Sequence, residues 1–256
     1  MPPVPSPALL DKKRSVLYNL RQYPTKLVRC SLKHKGDEKM NQRWYTYRGL
    51  RFVFAPLFRL LFRPRIMGNE HIPPQGAVIL AGNHMHALDP ILIDISTKRI
   101  VRTLAKKDLH DGPFGFIFRA VHTIPVDLHS KHNPAALQAA VQALQQGDAV
   151  NVSPEAKRNY TDQLLLPFKY GAVAMSAKAH APIVPYAIAG IYKPFTGRVT
   201  VSFGAPFYAS GDLTADNREL YNQVAALLRS VTEPAVLAQK HFTAFDVWSC
   251  QHETSS

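Results

Sequence analysis

A histidine and an aspartate five residues apart, His84 and Asp89, stand in the segment AVILAGNHMHALDPILID, residues 77–94. On a continuous helix of about 3.6 residues per turn that spacing would point them to different faces. A turn from Gly82 to Leu88 would instead let the Asp89 carboxylate take the proton of one imidazole nitrogen and leave the other as a base. Such a pair suits removal of a proton from a hydroxyl. Simpler roles are also open to the same residues: Asp89 as a helix cap before Pro90, and His84 as a hydrogen-bonded loop residue. His84 and His86 lie on one side of an extended segment and, with Asp89, could hold zinc. The usual metallohydrolase spacing and its further histidine are lacking, so no metal is expected.

Elements must position these groups. Ala77 to Ala81 is a short apolar run of the kind a buried parallel strand makes, stopped by Gly82 and Asn83. His84 therefore belongs at a strand's carboxyl end, where sites in open α/β sheets lie. Further strands are expected at Arg65–His71, Arg99–Leu104, Ile124–Asp127, Ala149–Val152, Pro182–Ala189 and, on an edge or half buried, Val199–Phe203. Helices are expected from Pro134 to Gly147, from Phe168 to His180, and through Leu220 to Val231. Strand and helix alternate, so the fold class is α/β, a single mixed and mostly parallel sheet flanked by helices.

The chain has 256 residues and a formal net charge of +13, which implies an anionic partner. Two cysteines, Cys30 and Cys250, exclude a disulfide framework and point to a reducing setting. No zinc finger, RNA-binding aromatic block or helix-turn-helix accompanies the charge, and no nucleic-acid partner is expected. Gly-x-Ser-x-Gly is absent, which argues against a serine hydrolase. No window approaches the roughly 18 apolar residues of a membrane span, and the N-terminus lacks the order of an export signal.

Organisation along the chain reads as a basic extension over 1–39, amphipathic membrane-surface helices over 40–64, an α/β domain over 65–245 and a tail over 246–256. In the second stretch Leu50, Val53, Phe54, Leu57 and Leu61 gather on one face, with Arg48, Arg51, Arg59 and Arg63 opposite. Trp44, Leu50, Val53, Phe54, Leu57, Phe58 and Leu61 are the candidate membrane contacts. Pro56 predicts two short helices rather than one. The competing reading docks the apolar face on the protein's own core and leaves the arginines in water.

NHMHALDP resembles the N-H-x-x-x-x-D-P block of the glycerophospholipid acyltransferases, in particular the bacterial lysophosphatidate acyltransferases. Three further blocks agree in order: a lysine block at Ala105-Lys106-Lys107-Asp108-Leu109 with the strand Ile124-Pro125-Val126-Asp127, a Pro-Glu block at SPEAKR (153–158), and Ala181-Pro182-Ile183-Val184-Pro185. The resemblance covers about Arg43 to Phe207. Leu128 stands where the family usually has arginine, and Ser153, Ala156 and Lys157 replace its usual Phe, Gly and Thr.

The resemblance implies transfer of a fatty acyl group from a thioester, acyl-CoA or acyl carrier protein, to lysophosphatidate, with no bound cofactor. His84 and Asp89 would be catalytic. Asn83 or neighbouring backbone N–H groups would face the oxyanion. Lys106, Lys107, Lys157 and Arg158 are candidates for the phosphate, each alternatively a solvated surface charge. Glu155 would bind acceptor hydroxyls or brace the basic residues. The partner is an anionic lipid surface, and the expected location is the cytoplasmic face of a membrane, peripheral or monotopic. Acylation of another lysolipid, or lipid binding without turnover, are the alternatives.

Overall fold

The structure, a computed structural model, describes residues 36–113, 115–127 and 133–248, and side chains in the first helix from Tyr45 on, Thr46 excepted. The extension before residue 36, Leu128, the tail from residue 249 and the side chain of Trp44 lie outside the described residues. The chain divides into two units, 1–41 and 42–256, and the second holds every element of the fold except the first turns of helix α1 (Gly36–Phe62).

Seven strands form one sheet. They are β1 (Arg65–Met67), β2 (Val78–Gly82), β3 (Val101–Lys106), β4 (Ile124–Val126), β5 (Ala149–Val152), β6 (Ile183–Gly190) and β7 (Val199–Phe203), in the order β1-β7-β6-β2-β5-β3-β4. Strands β6, β2, β5, β3 and β4 run parallel, while β7 is antiparallel to β6 and carries β1 parallel to itself. The sheet is thus single, mixed and mostly parallel. Val199–Phe203, expected as an edge or half-buried strand, is an internal and largely buried one.

Strand β2 is buried at every residue because both faces are covered. Ile79 and Ala81 pack with helices α5 (Pro134–Gln145), α6 (Gly171–Ala179) and α7 (Leu213–Val231), through Leu144, Met175, Leu220 and Val224. Val78 and Leu80 face the other way, onto Leu92, Ile93 and Ile95 of α2 (Asp89–Ile95) and Phe58 of α1. Period-two alternation of a wholly apolar strand thereby supplies two cores at once, each buried Leu or Ile contributing about 2 kcal/mol. Gly82 ends β2 under the Tyr186 ring, where a Cβ would lie 2.4 Å from a ring carbon, so no larger residue fits. Short helices α3 (Lys107–Asp111) and α4 (Gly115–Ala120) link β3 to β4, and α8 (Pro234–Leu237) follows α7.

One helix, α1, stands where two were expected. It continues through Pro56 because anchors on one face hold it on both sides of the proline. The Tyr47 hydroxyl bonds Asp94, Arg51 donates to the carbonyls of Thr97 and Arg99, and Arg59 donates to that of Ile95. Phe58 is buried against the sheet and is a core residue, which corrects its assignment as a membrane contact. The competing reading holds only in part: Arg48, Arg59 and Arg63 are exposed, but Arg51 is half-buried, Arg51 and Arg59 donate to carbonyls at and past the end of α2, and apolar side chains face out. Phe52, Val53, Phe54, Leu57 and Leu60 are all exposed, while Leu50 and Leu61 are half-buried. Among the described residues no helix is long and apolar enough to cross a membrane.

Candidate functional site

Four parallel strands deliver their following residues to one edge of the sheet: His84 after β2, Glu155 after β5, Tyr192 after β6, and Lys106 at the end of β3. Carboxyl ends of parallel strands meeting at such an edge form the crevice where α/β sites lie. The turn expected between His84 and Asp89 is present. His84 Nδ1 stands 2.8 Å from Asp89 Oδ2. That same oxygen accepts the backbone N–H groups of Met85 and His86, each at 2.8 Å, and Oδ1 accepts the Tyr192 hydroxyl at 2.8 Å.

Asp89 is the first helical residue of α2, with Leu88 as N-cap and no side-chain cap bond. Its carboxylate serves the preceding loop rather than its own helix. At 2% exposed, it is a buried charge that four hydrogen bonds compensate. His84 is 23% exposed, and its Nε2 has no hydrogen-bond partner among the described residues. A histidine held in this way by an acceptor at Nδ1 keeps the proton there and presents Nε2 as a base. His86 stacks on Tyr192 and accepts the Leu88 N–H at its own Nδ1, 3.2 Å. Among the described residues no three metal-ligating side chains converge.

Glu155 is 4% exposed and grips the same loop from the other side. Its Oε1 accepts the His84 N–H at 2.8 Å and its Oε2 the Leu166 N–H at 3.0 Å, while the Asn159 N–H donates to the His84 carbonyl at 2.8 Å. Burial pushes this carboxyl up to about 7, against the two backbone donors that pull it down. The structure therefore makes Glu155 a brace of the His84 main chain.

The departures in SPEAKR acquire physical meaning here. Ser153 shares a hydrogen bond with the fully buried Tyr186 hydroxyl, which Asn151 also meets at 3.1 Å. Ala156 has φ +56°, the left-handed region where glycine is favoured, so the alanine is strained where the resemblance expects Gly. Lys157 and Arg158 are exposed; Lys157 acts electrostatically on Glu155, and Arg158 lies over the Tyr160 ring at 5.3 Å.

The remaining candidates disperse. Asn83 is 6% exposed with both ends of its amide spent on β6, Nδ2 donating to the Ile188 carbonyl at 2.9 Å and Oδ1 accepting its N–H at 2.7 Å. It pins β2 to β6 and does not face an oxyanion, which corrects its assignment to the substrate. The backbone N–H groups of His84, Met85 and His86 are likewise committed to Glu155 and Asp89. Lys106 pairs with Asp108 at 2.5 Å, and Lys107 is exposed. Tyr192 had no signal in the sequence: it is a lone tyrosine 103 positions from the carboxylate it bonds.

Two outcomes are expected for Glu155 and Ala156. Between the ordinary carboxyl value of 4.5 and about 7 the folded protein holds a proton that the unfolded chain has lost, so Glu155's contribution falls as pH rises through that window. Urea denaturation across pH should show wild type losing up to about 3 kcal/mol relative to Glu155→Gln between those limits, with a constant difference above them. Ala156→Gly should raise stability by about 1 kcal/mol at fixed pH, seen in the same experiment as a higher midpoint with an unchanged slope.

A family model described as acyltransferase matches residues 63–189. The chain is 26% identical over 128 residues to the 1-acyl-sn-glycerol-3-phosphate acyltransferase of Bacillus subtilis, covering 49% of this chain and 62% of that protein. With the enzyme of the same name from Borreliella burgdorferi the identity is 27% over 145 residues, covering 56% and 58%. The match thus spans about three-fifths of the length of these curated relatives. Among solved structures, the 1-acyl-sn-glycerophosphate (LPA) acyltransferase PlsC from Thermotoga maritima superposes with a TM-score of 0.61 over 86% of this chain and 88% of that one. At 19% identity this likeness concerns the fold. Over residues 63–189 the chain thus matches the acyltransferase family model, and it is similar to bacterial 1-acyl-sn-glycerol-3-phosphate acyltransferases.

Proposed function

We propose that this protein is a 1-acylglycerol-3-phosphate O-acyltransferase that works at a membrane surface, moving a fatty acyl group from a thioester to the free hydroxyl of lysophosphatidate and so forming phosphatidate. One observation carries the reading: His84 Nδ1 held at 2.8 Å by a buried carboxylate, with Nε2 unbonded among the described residues at the carboxyl edge of the sheet. In this reading Nε2 takes the hydroxyl proton as the acceptor oxygen attacks the thioester carbonyl, and Asp89 stabilises the imidazolium that forms. Collapse of the tetrahedral intermediate breaks the carbon–sulfur bond. The thiolate departs with the proton that His84 returns, and neither a covalent enzyme intermediate nor a bound cofactor enters the scheme.

The donors at residues 83–86 being committed, the oxyanion and the phosphate fall to groups outside that loop. Lys157 and Arg158, exposed beside the Glu155 brace, and Lys106 or Lys107 at the end of β3 are the cations assigned to the phosphate. The donor thioester is acyl-CoA or acyl carrier protein. The outward apolar face of α1, with Val53, Phe54 and Leu57 at its centre, is assigned to the acyl-chain boundary of an anionic bilayer. That orientation keeps the enzyme on the surface where its acceptor resides.

The test is a mass-spectrometric assay in anionic vesicles, with acyl-CoA and acyl carrier protein donors and a panel of lysophospholipids. Phosphatidate should be the product, reduced about a hundred- to ten-thousandfold in His84→Ala. A different acylated lysolipid would move the assignment to another acceptor. Product from neither protein, with both still on the vesicles, would replace it with lipid binding alone. Separately, the double substitution Phe54→Ser with Leu57→Ser should weaken vesicle co-sedimentation at least about tenfold while leaving the fold intact, because both side chains already face outward.

A further inference from the structure

Tyr192 leaves β6 two residues past its end and returns to the buried carboxylate. Its hydroxyl lies 2.8 Å from Asp89 Oδ1, the oxygen that His84, Met85 and His86 do not use. Burial, then the Asp89 charge, pushes the phenol far above its usual range, so Tyr192 keeps its proton and acts as the donor. Its ring is held on several sides. It stacks on His86 with centroids 4.6 Å apart and an interplanar angle of 23°, and meets Phe58 and Phe62 of α1 edge-on at 6.3 and 5.8 Å. The loop backbone is tied to the same helix, Phe195 N–H donating to the Leu61 carbonyl at 2.6 Å.

A terminal carboxylate rotates in a broad, roughly twofold well unless both oxygens are engaged. Three donors on Oδ2 fix that oxygen, and a donor on Oδ1 fixes the plane. Since the imidazole takes its direction from the carboxylate, the plane decides where Nε2 points. A base displaced by about 1 Å loses about a hundredfold in rate.

We propose that Tyr192 is a positioning residue for the His84–Asp89 pair: its hydroxyl locks the second oxygen of Asp89, and Phe58 and Phe62 of helix α1 set where that hydroxyl lies. The surface helix and the reacting pair are then joined through one side chain. This rests on the acyl-transfer reading of His84 and Asp89. If residue 192 supplied packing alone, a phenylalanine there would serve equally well.

Tyr192→Phe in the full chain separates the two. On vesicles with lysophosphatidate and acyl-CoA, kcat should fall about tenfold with KM within about twofold of wild type, the loss of a charge-assisted hydrogen bond acting on the reaction step rather than on substrate binding. In proton NMR of protein with nitrogen-labelled histidine, the His84 Hδ1 resonance should move or broaden. Both kcat within about twofold of wild type and an unmoved Hδ1 resonance would overturn the proposal. Should wild type transfer no acyl group, the acyl-transfer reading fails by itself, and the Hδ1 resonance still decides whether Tyr192 controls the pair. Should the substitution unfold the chain, wild type decides: a slowly exchanging tyrosine hydroxyl proton close to the Asp89 carboxylate supports the lock, and its absence refutes it.

Discussion

A carboxylate buried to 2% exposure cannot persist without donors, and Asp89 recruits four. Its demand shapes what surrounds it. The loop after β2 must bend so that two successive backbone N–H groups and the His84 ring converge on one oxygen. The chain after β6 must bring a hydroxyl to the other. Glu155 then grips the His84 main chain from β5, and Asn83 ties the start of the loop to Ile188. Remove the charge and each of these turns loses its reason for being where it is.

Helix α1 answers to a different constraint. The carbonyls of Ile95, Thr97 and Arg99 sit at and just past the C-terminal end of α2, and guanidinium groups from α1 satisfy them. Arginine is suited to this because its planar fork reaches several acceptors while its stem stays among apolar atoms. With Arg51 and Arg59 tied to these carbonyls, Phe52, Val53, Phe54, Leu57 and Leu60 stand exposed. Asp94, with Tyr47 and Arg51 beside it, is pushed up to about 7 by the same burial.

How much of this was legible in the sequence depended on the range of the interaction. The apolar run 77–81 stopped by Gly82, the proline after Asp89 and the spacing of His84 from Asp89 are local, and they gave the strand, the helix start and the turn. The alternation of strand and helix gave the sheet. Asn83, Glu155 and Tyr192 depend on which strands become neighbours, and a residue type alone does not say whether its polar atoms meet a ligand or the main chain of the next strand. The face of α1 was legible as a pattern, but its direction was not: an amphipathic helix reads the same whether its apolar or its basic side turns inward. Phe58 resolves it only because the sheet beneath offers it a place.

The segment after β5 is fastened by main-chain groups: Asn159 N–H to the His84 carbonyl, Lys169 N–H to that of Pro154, and Ala156 N–H to that of Ser153, with Glu155 its one buried acidic contact to the loop. Its exposed side chains at 157 and 158 bear none of that attachment. Such a loop can drift under selection. Under the proposed function, substitutions at those two positions would change the headgroup preference while leaving the His84–Asp89 geometry in place, so acceptor choice could shift by single steps without an unfolded intermediate.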